Sequence, residues 1–150
     1  MPERTVASPL GPLTLTESEG AIISLRWGDG GTDDSPLLRR AEAQLRRYFD
    51  GGDEPFDLPL EVAGSDIQRA VCALMQAIPL GETRTYGDLA RDLGVPAQVV
   101  GQACGGNPIP VIIPCHRVLG ASGLGGFSAR GGVETKVWLL RHEGAAGLLI

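Results

Sequence analysis

Cys115, His116 and Arg117 are consecutive, and they are the side chains of this sequence best suited to chemistry. The thiolate is the nucleophilic form of cysteine, and a nearby imidazole, guanidinium or helix N-terminus lowers the pKa of a thiol. Neighbouring residues of an extended segment point to different sides, so we expect a water molecule to join Cys115 to His116. Cys115 is the candidate nucleophile.

The imidazole also needs an acidic group to orient it, and Glu143 is the candidate. Val133, Val137 and Leu140 indicate a helix whose last turn holds Glu143, where the helix dipole disfavours an anion. Some other group should therefore stabilise this carboxylate. The alternative is an ordinary solvated glutamate before a C-capping Gly144.

The segment 107–118 should deliver the cysteine and the histidine to the site. It contains three prolines, which forbid a continuous helix and push each preceding residue toward extended geometry. We therefore expect a rigid, mostly apolar, extended strap.

Two short helices should precede this strap. Thr85 and Asp88 form a capping box for a helix that ends at Gly94, and Pro96 can begin the next helix after a three-residue turn. This pattern favours a helix-turn-helix, with a simple helical hairpin as the alternative. A further helix should come before them, with Ser65 and Gln68 as its capping box and a buried face made of Ile67, Val71, Leu74 and Ile78.

If the second of these short helices binds DNA, the residues on its outward face indicate which groove it enters. We expect it to bury Ala97, Val100 and Cys104. Its outward face then consists of Gln98, Gly101, Gln102 and Gly105. Helices that read base edges in the major groove usually carry Arg, Lys or Asn, whereas a small uncharged face favours the minor groove with little sequence reading.

The first 63 residues predict a separate α/β domain. Residues 13–16 and 23–27 alternate in polarity around a Glu19-Gly20 turn, which indicates a hairpin. Ser35 and Pro36 begin a helix with a stripe of Leu38, Ala41, Leu45 and Tyr48. Residues 51–64 are rich in Gly, Pro and acids, so we place the domain boundary near residue 64, giving domains 1–63 and 64–150.

Composition limits the class of protein. The chain has 150 residues, of which 43% are hydrophobic, and no apolar run reaches the roughly 18 residues of a spanning helix. Its first residues do not resemble a signal peptide, so we expect a cytoplasmic protein. Three cysteines without metal-ligand spacing argue against a disulfide framework or a zinc site.

Charge is uneven along the chain. Residues 1–78 carry 7 Lys and Arg against 13 Asp and Glu, whereas residues 79–150 carry 6 against 5. Any DNA-facing surface should therefore lie in the C-terminal half.

Several motifs together resemble one family. Pro114-Cys115-His116-Arg117-Val118, preceded by Gly106-Asn107-Pro-Ile-Pro110, is similar to the active-site signature of the methylated-DNA–protein-cysteine methyltransferases, the O6-alkylguanine-DNA alkyltransferases. The resemblance runs from about Gly81 to Gly144 and includes Gly-Glu-Thr-Arg-Thr-Tyr86, Gly-Phe127-Ser128 and Lys136-Val-Trp138-Leu-Leu-Arg-His-Glu143-Gly. Over residues 1–63 it is thinner, essentially Ser8-Pro-Leu-Gly11 and the order of elements.

The resemblance implies a fold and a function. The fold is a small ribonuclease H-like sheet-plus-helix domain followed by a mostly helical, winged helix-turn-helix domain. The function is direct-reversal DNA repair, in which Cys115 accepts the alkyl group of O6-alkylguanine once and irreversibly, with O4-alkylthymine as a second candidate substrate. The partner is double-stranded DNA, bound through the minor groove by a monomer with the damaged base flipped out, and no cofactor or metal is expected.

It also implies roles for individual residues. His116 takes the thiol proton through water, Glu143 fixes the imidazole, Tyr86 protonates or hydrogen-bonds N3 of the departing guanine, and Asn107 braces the strap. The substrate-binding residues are Ser128, through its backbone N–H, Val118 and Phe127. The DNA-binding residues are Arg84, Ala97, Gln98, Val99, Gly101 and Gln102.

The chain departs from the family pattern at three places. Gln98 stands where the family commonly has an arginine that fills the gap left by the flipped nucleotide, so we expect weaker flipping and weaker DNA affinity. Val99 is bulkier than the alanine often found there. Ala129-Arg130 resembles an insertion that lengthens the pocket wall.

Two other functions remain open at this point. One is a cysteine hydrolase using Cys115 and His116, which the adjacency of the two residues argues against. The other is a non-repairing sensor of alkylated DNA, or a helix-turn-helix regulator. Stoichiometric alkylation of the protein distinguishes repair from both.

Overall fold

The structure is a computed structural model that describes residues 1–120, 123 and 132–145. The chain separates into two compact units, Met1–Ala63 and Gly64–Ile150. Among the described residues, every helix is too short or too polar to cross a bilayer.

The first unit contains an antiparallel sheet of three strands, β1 (Glu3–Val6), β2 (Leu13–Ser18) and β3 (Ala21–Trp27), in that order. The predicted hairpin is confirmed as β2 and β3. Glu19 and Gly20 connect them with φ values of 50° and 80°, the positive values that the favoured two-residue hairpin turn requires. Strand β1 was not predicted from the sequence, because it is short and has a single buried residue, Val6.

Helix α1 (Pro36–Phe49) packs in this unit as predicted. The Ser35 hydroxyl accepts a hydrogen bond from the Leu38 amide, and Pro36 occupies the first helical position. The stripe of Leu38, Ala41, Leu45 and Tyr48 is buried, and it forms a core with strand residues such as Leu13 and Leu15.

The second unit is mostly helical. Its elements in chain order are α2 (Asp66–Gln76), β4 (Arg84–Thr85), α3 (Tyr86–Leu93), α4 (Ala97–Gly105), a 3-10 turn (Cys115–Arg117), β5 (Val118–Leu119) and α5 (Val133–His142). Strands β4 and β5 pair in parallel, which joins the start of α3 to the chain just after the 3-10 turn.

The capping box at α3 is confirmed. The Thr85 hydroxyl accepts from the Asp88 amide and the Asp88 carboxylate accepts from the Thr85 amide, while Gly94 ends the helix with φ of 66°. The box fixes where α3 begins, so Tyr86 is held at its first position.

The predicted capping box of α2 is half wrong. Ser65 caps the helix by accepting from the Gln68 amide, but the Gln68 side chain donates to the Ala103 carbonyl at 2.7 Å instead of returning to the cap. The buried face is also centred differently, on Val71, Cys72 and Met75. Gln68 thereby ties α2 to α4, a contact between distant residues that local spacing does not reveal.

Helix α4 buries Val100, Ala103 and Cys104, but Ala97 is exposed, against expectation. Ala97 lies in the first turn, which begins before the helix reaches the core. The predicted outward face is confirmed. Gln98, Gln102 and Gly105 are exposed, and a Cβ added to Gly101 would meet nothing within 4 Å.

Candidate active site

Asn107 braces the segment that leads to the cysteine. Its side-chain amide donates to the Ile113 carbonyl at 2.8 Å, and its carbonyl oxygen accepts from the Ile109 amide at 3.0 Å. Between these contacts, Val111 adopts a φ of 72°, an uncommon conformation for a β-branched residue. The segment from Val111 to Val118 is buried throughout, so it is fixed by packing as well as by Asn107.

The expectation of an extended strap through the cysteine is wrong at its end. Cys115, His116 and Arg117 form one turn of 3-10 helix, closed by hydrogen bonds from the Arg117 amide to Pro114 and from the Val118 amide to Cys115. A proline can precede such a turn because it needs no amide donor there. The turn directs three consecutive buried side chains to different partners.

His116 is completely buried and is bonded to Glu143. The distance from His116 Nε2 to Glu143 Oε2 is 2.6 Å, and both side chains are 0% exposed. A carboxylate only accepts hydrogen bonds, so Nε2 carries the proton and Nδ1 has the lone pair. Nδ1 is the buried side-chain polar atom that has no hydrogen-bond partner within the described part of the chain.

Glu143 is the C-cap of α5, where an anion is disfavoured by the helix dipole. Arg117 compensates for this, because its Nε and Nη2 donate to Oε1 and Oε2 of Glu143 at 2.8 and 3.1 Å. The sequence analysis offered Arg117 as a cation for the thiol, whereas the structure places its guanidinium on the carboxylate. Burial would raise the pKa of Glu143, but His116 and Arg117 lower it to about 2.

Lys136 is a site residue that the sequence analysis missed. The predicted stripe of α5 is confirmed at Leu140 but not at Val133, which is exposed; the buried residues are Thr135, Lys136, Leu139 and Leu140. The ammonium of Lys136 donates to the Val118 carbonyl at 2.7 Å and lies 5.8 Å from the centre of the Tyr86 ring. An apolar stripe cannot reveal a buried lysine; its presence in the resembling motif was the signal.

The Cys115 thiol is protonated at rest. It is 8% exposed, and burial raises its pKa, although the Asn107 side chain and the Lys136 ammonium oppose the rise. Burial also lowers the pKa of His116 and outweighs the effect of Glu143. The thiol of Cys115 and the imidazole of the next residue, His116, are therefore both neutral, which suits a general base rather than a preformed ion pair.

Tyr86 lies near Lys136 and the thiols of Cys104 and Cys115. Burial raises the pKa of its hydroxyl, and the nearby thiols of Cys104 and Cys115 raise it further. The phenol is therefore a neutral hydrogen-bond donor at physiological pH. The structure thus brings together six predicted site residues: Cys115, His116, Glu143, Tyr86, Asn107 and Val118.

The predicted DNA-binding residues form a different group. Gln98 and Gln102 are exposed on α4 with Ala97, whereas Val99 and Gly101 are half-buried. Arg84 is half-buried in β4 and its Nη2 lies 2.9 Å from a carboxylate oxygen of Asp92. Phe127, Ser128 and the Ala129-Arg130 insertion lie outside the described residues.

No metal centre is formed by the residues that the structure describes, since nowhere among them do three His, Cys, Asp or Glu side chains gather as ligands would.

Comparison with known proteins gives a consistent result over both units. Residues 1–62 match the family described as 6-O-methylguanine DNA methyltransferase, ribonuclease-like domain, and residues 66–145 match 6-O-methylguanine DNA methyltransferase, DNA binding domain. A methylated-DNA–protein-cysteine methyltransferase of Mycolicibacterium paratuberculosis is 43% identical, covering 93% of this chain and 90% of that protein. One of Methanosarcina acetivorans is 37% identical over 92% and 95%.

Solved structures agree. The crystal structure of Mycobacterium tuberculosis OGT in complex with DNA superposes with a TM-score of 0.85 at 42% identity, covering 95% of this chain and 92% of that one. The ribonuclease-like and helical domains expected from the resemblance are therefore present, in a mixed α/β fold. From these matches, together with the buried Cys-His-Glu site, the chain belongs to the 6-O-methylguanine DNA methyltransferase family.

Proposed function

We propose that the protein repairs O6-alkylguanine in DNA by moving the alkyl group to Cys115 in one stoichiometric reaction. The observation that carries this proposal is the state of His116, the residue that follows Cys115: Glu143 binds one ring nitrogen, and the other is buried with no hydrogen-bond partner among the residues that the structure describes. A buried unpartnered nitrogen is costly unless something uses it. A water between Nδ1 and the thiol satisfies it and provides a path for the proton.

The transfer step is a single displacement. As the thiol proton passes through water to His116 Nδ1, the sulfur of Cys115 attacks the carbon attached to O6, and the carbon–oxygen bond breaks with its electrons on the guanine. The resulting imidazolium stays paired with the Glu143 carboxylate. The thioether is not hydrolysed, so each molecule reacts once.

The leaving guanine needs a proton, because its negative charge would otherwise build up in a buried site. The Tyr86 hydroxyl supplies a proton or a hydrogen bond to N3, and its raised pKa keeps it protonated until that moment. Backbone groups at Cys115 and Val118 read the amino edge of the base, the backbone N–H of Ser128 binds the O6 edge, and Phe127 is the third substrate-binding residue that we propose. Lys136 holds the Val118 carbonyl in place for this contact.

The substrate is double-stranded DNA, and the M. tuberculosis relative was crystallised in complex with DNA. The target carbon is inaccessible in stacked DNA, so the nucleotide rotates out at a cost of about a few kcal/mol. The uncharged face of α4, with Gln98, Gly101 and Gln102, enters the minor groove. The protein acts as a monomer in the cytoplasm.

The test is intact mass after incubation with an oligonucleotide that carries O6-methylguanine. A gain of one methyl group per chain, lost in Cys115→Ala and retained in Cys72→Ala, supports transfer to Cys115. Tight lesion binding with unchanged mass supports a sensor instead. Continuous turnover of an ester or peptide would support a hydrolase.

A further inference from the structure

The side chain of Arg117 is nearly buried and makes several hydrogen bonds. Its side chain is 10% exposed, and three of its nitrogens donate hydrogen bonds. Nε and Nη2 bind the two oxygens of Glu143, and Nη1 binds the Ile78 carbonyl beyond α2 at 2.6 Å. A guanidinium that holds both carboxylate oxygens fixes the plane of the carboxylate.

The fixed carboxylate in turn fixes the imidazole. Oε2 of Glu143 receives the Nη2 proton of Arg117 and the Nε2 proton of His116 together. A carboxylate that rotated out of this plane would lose at least one of these contacts. A series of hydrogen bonds thus runs from the Ile78 carbonyl through Arg117 and Glu143 to His116. It fixes the tautomer of His116, with the proton on Nε2 and the lone pair on Nδ1.

Within the described part of the chain, three charged groups act on the pKa of His116. Glu143 and Lys136 face it from α5 and its C-cap, Arg117 faces it from the 3-10 turn, and from the α2 side the contact to this cluster is the uncharged Ile78 carbonyl. Without the guanidinium, His116 still makes its direct hydrogen bond to the buried carboxylate, and as an imidazolium it would give that carboxylate a positive partner. An imidazolium has no lone pair on Nδ1 and cannot accept the thiol proton.

We infer that Arg117 is a positioning residue for alkyl transfer, which neutralises and orients Glu143 so that His116 stays an uncharged base with its lone pair on Nδ1. This inference rests on the proposed function of Cys115. It differs from a packing role for Arg117, because it assigns the arginine a specific effect on the protonation of another residue.

The direct test is nitrogen-15 NMR of the imidazole rings. The protein has two histidines, so His142→Gln assigns the signals of His116. At pH 7 we expect neutral His116 with its proton on Nε2 in the wild type and in Arg117→Lys, which retains the charge. In Arg117→Met we expect an imidazolium, with the titration of His116 raised by about one to three pH units.

A double variant tests the cause. Arg117→Met with Glu143→Gln removes both charges, so His116 should return to the neutral form although the carboxylate is gone. Arg69→Gln is the matched control, because it removes an arginine of the same unit whose ion pair, with Asp66, is exposed. It should leave both the NMR signals and the reaction rate unchanged.

A kinetic arm uses the free base O6-benzylguanine, so that DNA binding plays no part. The rate of Cys115 modification in Arg117→Met should recover as pH rises, its acid limb shifted by the same one to three units as the titration of His116. A loss of rate that is equal at every pH indicates a structural role and overturns the inference.

The inference is also overturned if the NMR spectrum of Arg117→Met at pH 7 shows a neutral His116 with its proton on Nε2. If that variant does not fold, an imidazolium at pH 7 in Arg117→Lys has the same consequence. Failure of the wild type to modify Cys115 contradicts the proposed function alone, since the NMR result judges the effect of Arg117 on His116 independently.

Discussion

Glu143 shows how one residue can be unfavourable in its own helix and still be required. It is an anion at the C-terminal end of α5, and its side chain is removed from solvent. Its stability there comes from outside the helix, from Arg117 and His116 of the 3-10 turn. Contacts with the site residues therefore stabilise the carboxylate, although its own helix disfavours it.

Replacing Glu143 by glutamine should affect both rate and stability. We expect Glu143→Gln to slow alkylation of Cys115 about 10²- to 10⁴-fold, because the base is no longer oriented. Stability should fall by about 3–5 kcal/mol, because Arg117 is left as a buried charge. Single-turnover rates and urea unfolding measure the two effects.

Glu134→Gln is the control, because Glu134 is exposed in the first turn of the same helix. It should change neither quantity appreciably. Equal effects of the two substitutions would contradict the role given to Glu143.

Stability should depend on pH in two steps. The pKa of His116 is lowered by burial, so below the unfolded value of about 6.5 the unfolded chain takes up a proton that the folded protein refuses. The pKa of Glu143 is lowered to about 2, so its contribution is complete above the unfolded value of about 4.3 and is lost as pH falls toward 2.

Urea unfolding from pH 8 to pH 3 should therefore show the free energy of unfolding decrease below about pH 6.5 and decrease further below about pH 4.3. Glu143→Gln should lack the lower step, whereas His142→Gln should retain both. A free energy that stays constant from pH 8 to pH 5 would mean that His116 is not held neutral.

At the scale of elements, α3 positions Tyr86, and α4 is the helix that we propose to contact DNA. The capping box sets the first residue of α3 and with it the place of Tyr86, while α4 presents an uncharged face. The two helices are joined by the short turn at Gly94 and Pro96, so the position of one constrains the other.

Removing the Thr85 hydroxyl should loosen this arrangement. We expect Thr85→Ala to lower stability by about 1 kcal/mol, as for other lost N-caps, and to slow alkylation by displacing Tyr86. Thr83→Ala removes a hydroxyl outside the capping box and should have a smaller effect on both. Circular dichroism during urea unfolding and single-turnover kinetics are the measurements.

Gln98→Arg should improve reaction with duplex DNA. An arginine can stack in the space left by a flipped nucleotide, so we expect the duplex rate to rise about five- to tenfold. The rate with free O6-benzylguanine should stay the same, which separates flipping from chemistry. Unchanged duplex rate and unchanged DNA affinity would show that Gln98 does not limit flipping.

For the whole molecule, we expect the distribution of charge to affect the rate and strength of its association with DNA. The net charge is −5, and acids are concentrated in residues 1–78. In the second unit, three of the described arginines form ion pairs with aspartates near the surface: Arg69 with Asp66, Arg84 with Asp92 and Arg91 with Asp88. These pairs reduce the positive charge available to phosphate groups.

Releasing Arg84 should strengthen DNA binding. In Asp92→Asn the guanidinium of Arg84 loses its partner, so duplex affinity should increase and the slope of log K against log salt should steepen by about 0.9. Asp34→Asn, which breaks the ion pair with Arg39 in the other unit, should leave the slope unchanged. If the slope of log K against log salt is the same in both variants, Arg84 does not contact DNA.

Much of the molecule could be predicted from local signals. The hairpin, the buried stripe of α1 and the capping box of α3 follow from periodicity and from side chains that bond to nearby backbone, because these depend on residues a few positions apart. The family resemblance likewise depends on contiguous motifs around Cys115, Tyr86 and Glu143.

Contacts between distant residues could not be predicted in this way. Gln68 leaves its own helix cap for Ala103, Lys136 turns inward to Val118, and Arg117 binds Glu143, 26 positions along the chain. Sequence determined which side chains were present and which helices and turns carried them. Only the tertiary structure decided which buried charge would face which, because a polar group taken out of water must find its partner wherever packing brings one.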